Sequence, residues 1–175
     1  FVDRIKGGSI PQNYIPSIKR GIEEDTHKGF YAGYPIVDTK VTLVDGSYHE
    51  VDSSEMAFKI AASMAFKEAF LKASPLLLEP IMKLEIASPD DYLGDMIADI
   101  SRRRGKINDM RRFRKGSQKI SAEVPLKECF GYANALRTIS SGRANHSLEF
   151  KQYSPLPQGL AQELLENLRK KKEAK

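Results

Sequence analysis

His49, Asp52 and Ser53 fall within five positions of one another and contain the side-chain types of a nucleophilic triad. Their neighbours point elsewhere. Asp45-Gly46 is a turn dipeptide, and Asp52 stands where a helix cap belongs. Nothing nearby supplies a strained nucleophile turn or an oxyanion hole. The other chemistry open to this stretch is recognition. Gly46, Ser47, Tyr48, His49 and Glu50 form a loop tip at the head of a helix. Helix amides bind anions there, and rings stack on unpaired bases. Asp45, Glu50, Asp52 and Glu55 crowd the same loop, so a nucleic acid would be met by shape and ring contact rather than by charge. Otherwise Tyr48 and His49 are ordinary loop residues. His27 and His146 lie far from His49 in sequence, and no Cys/His cluster has metal-ligand spacing. Gly7-Gly8 lacks the lysine pattern of a phosphate loop.

A second group is cationic. Eight Lys and Arg lie between Arg102 and Lys115. Arg102, Arg103 and Arg104 close a helical pattern, while Arg111, Arg112 and Arg114 fall on the strand and turn that follow. If helix end and hairpin converge, they make one patch suited to a phosphate backbone; if not, they are a solvated face.

The elements that hold these groups follow from periodicity. Residues 1–6 read as a strand stopped by Gly7-Gly8, and Ile15, Ile18 and Ile22 as a helix opened by Pro16 and closed by Gly29. Alternation from Pro35 to Val44 predicts a strand. Asp52 with Glu55 predicts a capping box opening a long helix. Met56, Ile60 and Met64, with Phe58, Ala62, Ala65, Phe66 and Ala69, would be its apolar side, and Glu55, Lys59, Ser63 and Lys67 its wet one. This helix should end near Ala73-Ser74-Pro75.

From Ile81 the order becomes β-α-β-β-α-β, the split-βαβ or ferredoxin-like layout. Strands are predicted over 81–86, 107–113, 118–124 and 145–152, with helices after Asp90-Asp91 and over 125–140. Cys129, Phe130 and Tyr132 would pack inward. Pro155 and Pro157 then lead to an amphipathic helix through Leu160, Leu164, Leu165 and Leu168, with a polar tail from Arg169 to Lys172.

The totals agree with two α+β domains. The chain has 175 residues, a net charge of +5 and 41% hydrophobic residues. Residues 1–79 carry 9 Lys and Arg against 11 Asp and Glu, and residues 80–175 carry 19 against 12. Such asymmetry suggests different surface roles for the halves. A single cysteine excludes an internal disulfide framework and fits a reducing compartment. No stretch has the length and apolarity of a membrane span. The start at Phe1, inside a strand pattern, reads as a fragment.

Several stretches together resemble the C-terminal part of elongation factor G, a translational GTPase. Gly7-Gly8-Ser9-Ile10-Pro11, Tyr14-Ile15-Pro16, Ala32-Gly33-Tyr34-Pro35-Ile36-Val37-Asp38 and Gly46 through Lys59 are similar to its fourth domain. Leu78-Glu79-Pro80-Ile81-Met82, Ser101-Arg102-Arg103-Arg104-Gly105, Ala122-Glu123-Val124-Pro125-Leu126 and Phe130-Gly131-Tyr132-Ala133 are similar to its fifth. The match is less typical from Asn108 to Ser117 and in the lysine-rich end.

The resemblance implies an α+β chain of two domains. Residues 1–76 would be a ribosomal protein S5 domain 2-like β-α-β-α unit lacking its first strands and with them one tip loop. Residues 77–157 would be a ferredoxin-like β-α-β-β-α-β sandwich, and a helix over 158–175 would return to the first domain. It further implies a cytoplasmic, monomeric, ribosome-binding segment without catalytic residues, metal or cofactor. GTP or GDP with Mg would belong to a domain outside it. The loop Gly46, Ser47, Tyr48, His49, Glu50 would enter the small-subunit decoding region beside tRNA and mRNA. Arg102, Arg103, Arg104, Arg111, Arg112 and Arg114 would face large-subunit rRNA near the GTPase-associated centre. Fusidic-acid resistance proteins are a further implied partner. Roles in translocation, ribosome recycling or back-up stay open, as does a stand-alone RNA-binding module using the sheet. Such a module needs exposed aromatics on its central strands, and 107–113 and 118–124 offer only Phe113.

Overall fold

A computed structural model describes residues 1–173, which divide into two compact units. One comprises Phe1–Pro75 together with the C-terminal segment from Gln162, and the other is Leu76–Ala161.

In the first unit, β1 (Val2–Asp3) pairs in parallel with β2 (Thr42–Leu43), Val2 opposite Thr42 and Asp3 opposite Leu43. Two helices pack beside them, α1 (Ile15–Lys28) and α2 (Glu55–Lys72). Pro16 sits in the first turn of α1, where its missing N–H costs no bond, and Gly29 ends the helix in the left-handed conformation at φ 63°. The core is Ile10, Ile18, Ile22, Phe58 and Phe66, flanked by Ile5, Tyr14, Ile36, Val41, Leu43 and Phe70.

Three expectations are corrected here. The strands predicted over 1–6 and 35–44 contract to two residues each, because the chain after Tyr34 bonds to α1 instead: the Ile36 amide donates to the Thr26 carbonyl at 2.8 Å. The cap of α2 is Ser54, not Asp52. Ser54 is extended (φ −145°, ψ 165°) and its hydroxyl accepts from the Ala57 amide at 3.0 Å. The Asp52 amide is already taken by the His49 carbonyl at 3.2 Å, so Glu55 has no free donor there; its carboxylate accepts from the Ser17 hydroxyl at 3.4 Å.

The wet side of α2 is also reassigned. Lys59, Ser63 and Lys67 face α1, which presents Glu24 and Asp25 to them. Lys59 pairs with Glu24 at 2.6 Å, the Ser63 hydroxyl donates to Asp25 at 2.5 Å, and Lys67 pairs with Asp25 at 3.3 Å. Gly21 permits this approach, since a Cβ there would lie 2.6 Å from the Lys59 carbonyl. Met56, Ile60 and Met64 are exposed instead, at 63%, 53% and 68%. Complementary charge on the facing helix outweighed the simple apolar-inward rule.

The second unit runs β3 (Leu78–Pro89), α3 (Leu93–Arg102), β4 (Lys106–Arg114), β5 (Ser117–Pro125), a helical turn α4 (Leu126–Cys129), α5 (Tyr132–Ile139) and β6 (Asn145–Pro155). The strands form an antiparallel sheet in the order β4-β5-β3-β6. Leu84, Ile86, Ile120, Ala122 and Val124 on the sheet meet Met96, Ile100, Tyr132 and Leu136 on the helices. This is the ferredoxin-like sandwich. The helix predicted over 125–140 is broken at Phe130, which is extended (φ −62°, ψ 129°), and at Gly131, which is left-handed at φ 74°. Phe130 therefore projects, 76% exposed, rather than packing inward.

The last helix, α6 (Gln158–Glu173), brings Leu165 and Leu168 beside Phe30, Tyr31, Ala32 and Leu71 of the first unit. Positions 174 and 175, which the predicted helix included, lie outside the described residues, as does the side chain of Lys172. Among the described residues no helix is long and apolar enough to cross a membrane.

Candidate functional site

Because β1 and β2 are parallel, the segments that follow them leave the sheet at the same end. One is the loop from Arg4 to Pro11, the other the loop from Val44 to Ser54. They touch: the Ile10 side chain packs against Gly46, where a Cβ would lie 2.4 Å from its terminal methyl and push it aside. Asp45 accepts from the Gly46 amide at 2.8 Å. That bond, with the nearby Ser9 hydroxyl, holds the Asp45 carboxyl below its usual range. The Ser9 hydroxyl is buried and falls short of hydrogen-bond geometry to any partner, so its effect on Asp45 is one of proximity.

Beyond Gly46 the loop is held by rings and then by the backbone. Tyr48 lies 5.8 Å from Tyr14, and Tyr14 stacks on the core residue Phe58 at 4.6 Å. Three rings thus lead from the interior to the loop. Next, the His49 amide donates to the Ser53 hydroxyl at 3.0 Å, while the His49 carbonyl accepts the amides of Asp52 and Ser53 at 3.2 and 3.0 Å. The turn closes on itself. Gly46, Ser47, Tyr48, His49 and Glu50 are all exposed. Ser53 is engaged by the His49 backbone rather than by its ring, so the triad letters do not form a triad. What the arrangement presents is an exposed imidazole on a closed turn.

Tyr14 and the Arg4–Ser9 loop were not singled out in the sequence as parts of this apex. The signal for the second was available: in a β-α-β unit with parallel strands, both strand-to-helix loops fall at one end.

The cationic residues do not converge. Arg103 turns inward: it donates to Asp99 at 2.8 Å and to the Glu128 carbonyl at 2.6 Å, and its guanidinium lies 5.0 Å from the Tyr132 ring. Arg104 is bidentate on Glu79. Arg102 is exposed and reaches Asp99 at 3.4 Å. Arg111, Arg112 and Arg114 are exposed on β4, at the far end of the sheet, where the Gly116 carbonyl accepts the Asp90 amide. At a strand rise of about 3.3 Å per residue, β4 separates the two groups by about 25 Å. The single patch is corrected to two: a helix end built into the fold, and an exposed hairpin where Arg114 lies 5.1 Å over the ring of Phe113.

The sheet face away from the helices is covered by ion pairs. Glu85 meets Lys119 at 2.8 Å and Lys83 at 3.0 Å, and Glu123 meets Lys151. These bonds hold the Glu85 carboxyl at about 2, well below its ordinary value. Burial raises the Cys129 thiol, whose Sγ donates to the Pro125 carbonyl at 3.4 Å. Among the described residues no group of three or more His, Cys, Asp or Glu is placed to hold a metal ion.

Comparison with known proteins agrees with this architecture unit by unit. Residues 1–74 match the family described as elongation factor G, domain IV, and residues 76–164 match that described as elongation factor G C-terminus. A crystal structure of a protein from Thermus thermophilus is similar with a TM-score of 0.87 and 42% identity over 97% of this chain. The chain spans 26% of the length of that protein. Two successive family matches and a solved relative across nearly the whole chain show that it belongs to the elongation factor G family and carries part of a translation elongation factor.

Proposed function

We propose that this chain is the ribosome-engaging end of a factor that promotes GTP-dependent movement of tRNA and mRNA. The first unit acts as a wedge. Its apex, with His49 foremost, enters the small-subunit decoding region, occupies the A site and prevents the tRNA–mRNA pair from slipping back. The second unit meets large-subunit rRNA through the exposed hairpin carrying Arg111, Arg112 and Arg114. GTP or GDP with Mg belongs to a domain outside this chain, and the work is done in the cytoplasm.

One observation carries this reading: an exposed imidazole sits on a turn closed by three backbone-centred bonds and backed by the Tyr48–Tyr14–Phe58 rings. A group fixed from behind and free in front is suited to contact and steric exclusion, not to proton transfer. The stand-alone RNA-binding module loses ground by comparison. Its sheet would need free aromatics on the central strands; the exposed rings of Phe113, Phe150 and Tyr153 lie on the edge strands β4 and β6, and the open face is spent on ion pairs among Lys83, Glu85, Lys119, Glu123 and Lys151.

Chemical probing of ribosomes carrying the full-length factor tests it. The factor should protect decoding-region nucleotides, and replacing Ser47–Glu50 by a short glycine linker should abolish that protection while large-subunit protections persist. Decoding-region protection that survives the replacement overturns the assignment.

A further inference from the structure

The electrostatics of the apex pose a problem for a site that meets RNA. Asp45, Glu50, Asp52 and Glu55 all flank the His49 loop, and like charge repels a phosphate backbone. The answer lies in the loop beside it. Arg4 and Lys6 are both exposed, and among the described residues neither forms an ion pair. Gly7 and Gly8 follow with φ of 68° and 71°. Positive φ at two successive residues is a conformation that glycine adopts most readily. A Cβ on either glycine would meet nothing within 4 Å, so the space in front of this turn is open. Neither glycine amide donates to a backbone or side-chain acceptor among the described residues.

We infer that the Arg4–Ser9 loop is the phosphate-binding half of the apex and takes the sugar-phosphate backbone of RNA, while the His49 loop beside it meets bases or shape. Two unpaired cations and two free amides on an unobstructed turn have the chemistry of phosphate recognition. Contact at Ile10–Gly46 fixes the two loops as one surface. The division of labour removes the electrostatic objection: charge comes from the first loop, and the acidic second loop need not supply it. This inference rests on the reading that the apex enters ribosomal RNA.

Directed cleavage separates the two. In the full-length factor with Cys129→Ser and any other cysteines replaced, a hydroxyl-radical source is tethered through Lys6→Cys or, separately, through His49→Cys. Overlapping cleavage of small-subunit RNA from both positions is the expected result. Cleavage from position 49 alone overturns the phosphate-binding loop and leaves the wedge standing; cleavage from neither overturns both. In parallel, the double variant Arg4→Glu, Lys6→Glu should weaken ribosome binding at least tenfold at low salt. It should also lower the log–log salt slope by about 1 for each phosphate the loop no longer neutralises. Both side chains are exposed, so the melting temperature should not move. An unchanged slope with unchanged affinity contradicts the inference.

Discussion

The amide of His49 donates to the hydroxyl of Ser53 at 3.0 Å, and the carbonyl of His49 accepts the amide of Ser53 at 3.0 Å. This reciprocal pair closes the turn that carries the imidazole. Ser53→Ala removes one half of it on an exposed loop, so global stability should fall by no more than about 1 kcal/mol. Amide hydrogen exchange at His49 should accelerate several-fold, because its donor is freed. Exchange at His49 that does not change would mean the turn is held by something else.

The cap of α2 makes a contrast between a serine and a nearby aspartate. Ser54→Ala should cost about 1 kcal/mol in urea unfolding, as loss of an N-cap does. Asp52→Ala should lie within about 0.5 kcal/mol of the parent chain, since the Asp52 side chain does not cap the helix. A larger loss for Asp52→Ala than for Ser54→Ala would restore the sequence-predicted capping box.

Arg103 should behave as part of the fold. Its guanidinium is paired with the buried Asp99, bonded to the Glu128 carbonyl and laid against Tyr132. Arg103→Ala leaves the buried Asp99 only the longer contact with Arg102, and should destabilise by about 2 kcal/mol. Arg112→Ala, on the exposed strand, should change stability by less than about 0.5 kcal/mol. Unfolding curves of the two variants check this; equal effects would contradict the division of the cationic residues into two groups.

Acid should reach the sheet late. Glu85 is held at about 2 in the folded chain, against an ordinary value of 4.5, by Lys119 and Lys83. A depressed carboxyl contributes stability that is present above about pH 4.5 and lost as the pH falls through about 2. A plot of melting temperature against pH should therefore fall across that window, and Glu85→Gln should flatten the fall. A variant with the same acid slope as the parent would remove Glu85 as its source.

Regular periodicity made the second unit legible. Alternation through Leu84 and Ile86, and through Ile120, Ala122 and Val124, placed strands whose inner faces form the observed core. The first unit was harder because its order rests on partners distant in sequence. Lys59, Ser63 and Lys67 look like a solvated stripe until Glu24 and Asp25 are placed against them. Pro35–Val44 has the composition of a strand, yet Ile36 bonds to Thr26 on α1 instead. At the apex, the Tyr48-His49 tip was legible from its turn residues, whereas the Arg4–Ser9 loop joined it only through the parallel pairing of two-residue strands. Charge runs misled in the same way: Arg103 and Arg104 count as cations in the sequence but are neutralised by Asp99 and Glu79 in space.

In the proposed mechanism the imidazole at the apex acts by contact after the nucleotide step. Rapid kinetics of the full-length factor with His49→Ala checks this, with ribosome-stimulated GTP hydrolysis and tRNA–mRNA movement followed in the same reactions. Movement should slow by about tenfold or more while hydrolysis stays within about twofold of the parent, an effect of about 1.4 kcal/mol or more confined to the movement step. Equal slowing of both activities, or of neither, would contradict it.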